Sequence, residues 1–181
     1  GTLKLVTENT IGDPIQWGGD GKFINSNVYT YLNNDFLNTL ENYQNVIVED
    51  YKWNVAEFVT SEEIGESEYV TAPVGLLNSY EYWNSYQNVS TVCSLSRCDG
   101  YYKSYLADYQ SNSWWLLNNK KDSSYGYQYG FVSNVNDEPY AALVTGTYAS
   151  VRPSIVLKPK VLISDGDGNY DNPYVINTGN N

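Results

Sequence analysis

Two apolar runs, Trp114-Trp115-Leu116-Leu117 and Val151-Arg152-Pro153-Ser154-Ile155-Val156-Leu157, bracket a polar segment from Tyr125 to Tyr148 broken by Gly126, Gly130 and Gly146. The pattern predicts a buried strand, two or three strands with a wet edge, and a second buried strand that closes the unit. Trp114 and Trp115 are adjacent, so on a strand they point to opposite faces. One indole is expected in the core, the other exposed or under a loop, where it could stack on a ligand. Arg152 precedes Pro153, and a buried guanidinium needs partners. It is expected to hold neighbouring carbonyls or an acid such as Asp137, a structural role shared with Pro153.

The bracketed segment carries the candidate binding residues Tyr125, Tyr127, Tyr129, Tyr140 and Tyr148. Tyrosine gives contact area at low entropic cost and keeps its hydroxyl wet. The chain has 19 Tyr against 4 Phe in 181 residues, which points to many half-exposed aromatic positions. That length fits one domain over 1–181, with 158–181 as a terminal strap or hairpin. The net charge of −11 argues against nucleic acid and against an anionic membrane surface as partners. No apolar run reaches the length of a membrane span. The chain opens at Gly1 directly in strand-like sequence, which reads as a mature segment with any export signal or anchor removed or upstream.

Leu3 to Thr7 reads as a strand and Ile11-Gly12-Asp13-Pro14 as a turn. Val28, Tyr31, Leu32, Phe36 and Leu40 recur at helical steps, predicting a helix from Asn27 to about Tyr43 with Ser26 or Asn27 as N-cap. Val46-Ile47-Val48 begins an extended stretch through Val59. Val74 to Leu77 reads as a buried strand leading into a second helix capped by Asn78 or Ser79. Glu62, Glu63, Glu66 and Glu68 read as a solvated acidic loop, because no apolar framing surrounds them. Around Asp165 to Tyr174, two short runs flank a glycine turn and predict a terminal hairpin.

Histidine is absent, so Ser-His-Asp and Cys-His nucleophilic chemistry lack their base. Phosphate-cradling glycine motifs are missing too. The chain therefore reads as a non-enzyme. Cys93 and Cys98 stand in C-x4-C spacing; a short-range disulfide, implying an extracellular location, is favoured over two free thiols. Asp165, Asp167, Asn169 and Asp171 alternate as hard oxygen donors would for Ca2+, the one possible cofactor. Position twelve of an EF-hand count is Ile176, however, and Asp and Gly also suit a plain turn.

Six segments in chain order carry a family resemblance. Gly1 to Val6 with Ile11-Gly12 and Trp17, Tyr31-Leu32-Asn33-Asn34-Asp35-Phe36, and Val74 to Tyr82 precede Trp115-Leu116 and Val151-Arg152-Pro153, and Asp167 to Tyr174 closes the series. The ordered set resembles an uncharacterised extracellular family of Firmicutes, lectin-like in fold, found in prepilin-type and other surface proteins. The resemblance implies an α+β, C-type-lectin-like domain: two helices around a small mixed or antiparallel sheet, with a loop-rich strand region. It implies a core position for Trp115 and an extracellular, bacterial cell-surface location. It also implies a display or adhesion module of a pilin-like appendage, of the type IV pilus kind, binding protein or glycan through the tyrosines. The alternative is a structural subunit packing against neighbouring subunits of a filament. A remote alternative is a formylglycine-generating copper oxidase, which shares the lectin-like fold and uses a close cysteine pair. Cys93 and Cys98 precede the Trp114 strand, however, whereas that pair lies near the arginine-rich end of the oxidase fold. Glu138-Pro139-Tyr140 only partly matches the calcium-dependent sugar motif.

Overall fold

The computed structural model describes residues 2–60, 63–83, 85, 113–122, 126–132, 139–169 and 171–179. Its architecture is mixed α+β, with short strands in small sheets and few helices. In chain order the strands are β1 (Leu3–Val6), β2 (Ile11–Gln16), β3 (Lys52–Asn54), β4 (Phe58–Thr60), β5 (Glu63–Ile64), β6 (Tyr69–Thr71) and β7 (Val74–Gly75). They continue as β8 (Trp114–Asp122), β9 (Gly126–Val132), β10 (Pro139–Leu143), β11 (Tyr148–Val151), β12 (Ser154–Leu157), β13 (Leu162–Asp165) and β14 (Val175–Asn177). Cys93, Cys98, Tyr125 and Asp137 lie outside the described residues, as does the run Tyr101 to Leu106.

A three-stranded sheet has the order β1-β12-β7, and a five-stranded sheet the order β10-β9-β8-β11-β2. Pro153 follows Arg152 between β11 and β12, so the chain leaves one sheet and enters the other at the Val151-Arg152-Pro153 motif. Both sheets are largely antiparallel, but β11 runs parallel to β8 through Ser150 and Trp114. Val46 to Val48 flanks β12 through an Ile47–Leu157 bridge and a Val48 N–H to Val156 carbonyl bond of 2.8 Å.

Ile11 to Pro14, expected as a turn, belongs to β2, at the edge of the five-stranded sheet. Its pairing with β11 shifts register between Ala149 and Val151. An edge strand with an irregular ladder tolerates Pro14, which has no N–H to donate.

The first helical run starts where expected. The Ser26 hydroxyl accepts from the Tyr29 N–H at 2.9 Å and caps α1 (Asn27–Thr30). The run widens into a π-helical turn, Tyr31–Phe36, and ends in α2 (Leu37–Thr39). Asn33, in the widened turn, accepts from the Val74 N–H at 3.1 Å and donates to the Val74 carbonyl at 3.1 Å. That reciprocal pair staples the helical run to β7. The second helix, α3 (Ser79–Trp83), opens with a capping box. The Asn78 side chain accepts from the Glu81 N–H at 2.7 Å, and Glu81 accepts from the Asn78 N–H at 3.0 Å.

Trp17, Trp53 and Trp115 anchor the main core, with Val28, Leu32, Val74, Leu117 and Val151 packed among them. Trp17 meets Trp115 edge-on at 5.6 Å. Gly75 is required here: a Cβ on it would stand 2.4 Å from the Trp53 ring. A smaller cluster of Leu77, Tyr82, Trp114 and Leu116 fills the other side of β8. The two adjacent indoles thus divide between two clusters, as strand alternation requires. Of the two alternatives for the second indole, exposed or covered, exposure is ruled out: both indoles are 0% exposed, and Trp114 packs with Leu77 and Tyr82.

Candidate functional site

The singled-out motif residues are used chiefly as cross-links. Arg152 donates through Nε and Nη2 to the Thr7 carbonyl at 3.0 and 2.8 Å, and through Nη2 to the Glu8 carbonyl at 3.0 Å. Its guanidinium lies 4.9 Å from the Trp114 ring centroid, a cation–π distance. Burial pushes Arg152 down to about 10, which leaves it charged at neutral pH. Trp114 is a buried platform for this arginine and has no surface from which to stack on a ligand.

Asn118, the last residue of the Trp-Trp-Leu-Leu-Asn run, is buried and makes four bonds. It accepts from the Ser79 N–H and hydroxyl at 2.7 and 3.0 Å, and donates to the Asn54 and Ala56 carbonyls at 3.2 and 2.8 Å. One amide therefore joins β8, the start of α3, the end of β3 and the segment that follows it. Lys4 adds a further tie: its ammonium pairs with Glu81 and lies 4.9 Å from the Trp53 ring centroid.

The candidate tyrosines do not form one row. Register places Tyr129 opposite Asn119, Tyr127 opposite Lys121 and Tyr140 opposite Phe131, which itself faces Trp115. By backbone alternation Tyr127, Tyr129 and Tyr140 share the phase of Trp115 and Asn119. Tyr148 is 65% exposed but shares the phase of Ser150, the partner of Trp114, and so belongs to the opposite phase.

Leu117 and Asn119 of β8 line a cleft of about 100 Å³. Its walls include Phe23, Val55, Val70 and Leu117, and Lys22, Glu57, Glu68 and Asn119 add polar groups. The Val55 N–H to Glu68 carbonyl bond, 2.8 Å, holds its β3–β6 wall. On the other side the Trp17 to Asn25 loop fixes Lys22 and Phe23. Asp20 accepts from the Lys22 N–H at 3.0 Å and from the Asn25 side chain at 2.9 Å. Those bonds, the one from Asn25 first, hold the Asp20 carboxyl below its ordinary range. Gly19, at φ +67°, is needed because a Cβ there would stand 2.4 Å from the Asn25 carbonyl oxygen. Sequence reading missed this cleft. Its residues come from four separated segments, and Glu68 was absorbed into the acidic loop.

Residues 1–159 match the family described as a domain of unknown function, DUF6273. The chain belongs to the DUF6273 family. No curated protein and no solved structure shows significant similarity to it. The match ends at Pro159, so the β13–β14 hairpin lies beyond the DUF6273 region.

In that hairpin the proposed calcium donors Asp165, Asp167, Asn169 and Asp171 are all exposed, and two of the carboxylates are engaged in turn bonds. Asp165 accepts from the Gly166 N–H at 2.8 Å, and Asp167 from the Asn169 N–H at 3.0 Å. The bond from Asn169 is the main cause holding the Asp167 carboxyl below its ordinary range. Among the described residues, no three His, Cys, Asp or Glu side chains are grouped to hold a metal ion.

Proposed function

We propose that this DUF6273 domain is a non-catalytic, C-type-lectin-like display module of a Firmicutes cell surface or pilin-like appendage. It binds protein or glycan on the outer part of the β8-β9-β10 sheet. The observation that carries the reading is the pairing of β8, beyond its buried Trp114 to Asn118 stretch and as far as Asp122, with the tyrosine-bearing β9. The mixed α+β architecture and the strands β8 to β11 between the Trp-Trp and Val-Arg-Pro motifs support the lectin-like assignment. The absence of histidine from the sequence supports the non-catalytic one.

The test is a glycan array and a panel of extracellular proteins, probed with the chain and with a Tyr127→Ala/Tyr129→Ala/Tyr140→Ala variant. At least one ligand should be retained by the parent and lost by the variant, with both giving the same thermal unfolding curve. Retention of that ligand by the folded variant would overturn the assignment of the face.

The second reading, a filament subunit, is favoured by the exposed apolar residues of the hairpin region. Leu162, Ile163, Tyr174 and Val175 are all half-exposed or more. Concentration-dependent assembly that is abolished by Ile163→Ser, with no ligand found on either panel, would select it.

A further inference from the structure

The cleft walled by Phe23, Val55, Val70 and Leu117 has a chemistry that narrows the partner. We infer that it receives a basic side chain, lysine or arginine, from a partner polypeptide. The inference rests on the reading of the domain as a binding module and specifies what it binds.

Size comes first. At about 100 Å³ the cleft is well below the several hundred Å³ of small-molecule sites. It has room for one side chain. Its floor is apolar: Phe23, Val55 and Leu117 are each buried and line it. An unbranched methylene stem covers such a floor while its charged end stays at the water boundary.

Charge comes second. Glu57 and Glu68 are exposed on the β3–β6 side of the lip. Among the described residues, neither carboxylate takes part in an ion pair. Lys22 also lines the cleft, so among the described lining residues there are two carboxylates against one ammonium. The chain as a whole is at −11, and this field raises the local concentration of cations and lowers that of anions. A neutral aliphatic side chain would use the floor and leave the carboxylates idle. An acidic one would have to approach both of them against the overall field.

The presence of Lys22 gives the inference a sign that can be tested. A basic occupant is repelled by the Lys22 ammonium, so its removal tightens binding; an anionic occupant loses a partner and binds more weakly.

The experiment uses the 181-residue chain and two probes, Nα-acetyl-lysine N-methylamide and its uncharged norleucine analogue. Backbone amide shifts of Val70, Leu117 and Asn119 are followed by NMR. The lysine probe should move these amides, and the norleucine analogue should bind about tenfold more weakly, a difference of about 1.4 kcal/mol. Glu57→Gln/Glu68→Gln should weaken the lysine probe by about tenfold. Lys22→Ala should tighten it, and the charge-matched control Glu41→Gln/Asp50→Asn should leave it within about twofold. All three variants alter exposed polar groups, and amide dispersion verifies their folding.

Equal weakening by the control would reduce the effect to diffuse charge and overturn the inference. So would equal binding of norleucine, or weaker lysine binding in Lys22→Ala. If the lysine probe leaves the cleft amides unmoved while the tyrosine variant still loses a ligand on the panels, this inference falls and the binding-module reading stands.

Discussion

The DUF6273 region and the hairpin that follows it use motif residues in opposite ways. In the first, Arg152, Asn118 and Asn33 each reach across a long stretch of sequence and close a bond in another element. In the second, Asp165 and Asp167 bond backbone groups one and two residues away. The five-stranded sheet lies over a core of three tryptophans, whereas every residue of β13 is exposed. A two-stranded ribbon is marginal by itself in water. The contrast teaches that a recognisable string of residues can mark a tertiary cross-link in one place and a self-contained turn in another, and the string alone does not say which.

That contrast can be broken by mutation. The largest effect is expected at Asn118→Ala, which strands the Asn54 and Ala56 carbonyls and the Ser79 donors in a buried setting. Chemical denaturation should show a loss of about 3 kcal/mol or more. Arg152→Lys keeps the charge but loses the fork that grips Thr7 and the stacking on Trp114; a loss of about 2 kcal/mol is expected in the same assay. The smallest effect on global stability belongs to the hairpin. Gly166 sits at φ +87°, and a Cβ there would meet the Pro173 carbonyl oxygen at 2.0 Å, so Gly166→Ala must open the turn. Hydrogen exchange at Ile163 and Ile176 should then accelerate, while global stability moves by less than about 0.5 kcal/mol. A Gly166→Ala loss as large as that of Asn118→Ala would show that hairpin and body form one cooperative unit.

Local rules served well where the signal was local. The Ser26 cap, the Asn78 cap, the β1 strand and the terminal hairpin all follow from patterns a few residues long. Pro14 misled, because a turn residue is also admissible on an edge strand, and edge position is a property of the whole sheet. Trp114 misled in another way: alternation gave the opposite faces correctly but could not tell that Leu77 and Tyr82 cover the second one. The cleft was illegible for the same reason. Lys22, Glu57, Glu68 and Asn119 share no period or spacing, and only the pairing of β3 with β6 and the placement of β8 bring them together.

The pairing of β1 with β12 has a mechanical consequence. Leu3 stands opposite Leu157 and Val6 opposite Ser154, so residues 3 and 157 lie side by side at one end of an antiparallel ladder. Tension applied through the backbone at those two residues pulls the strands apart crosswise, and it loads the Leu3–Leu157 pair before any other. The ladder opens like a zipper, one rung at a time, whereas strands dragged along their length must surrender all their rungs together. Load carried between these two residues therefore meets the β1–β12 ladder one pair at a time, while β12 keeps its pairing with β7 on the other side.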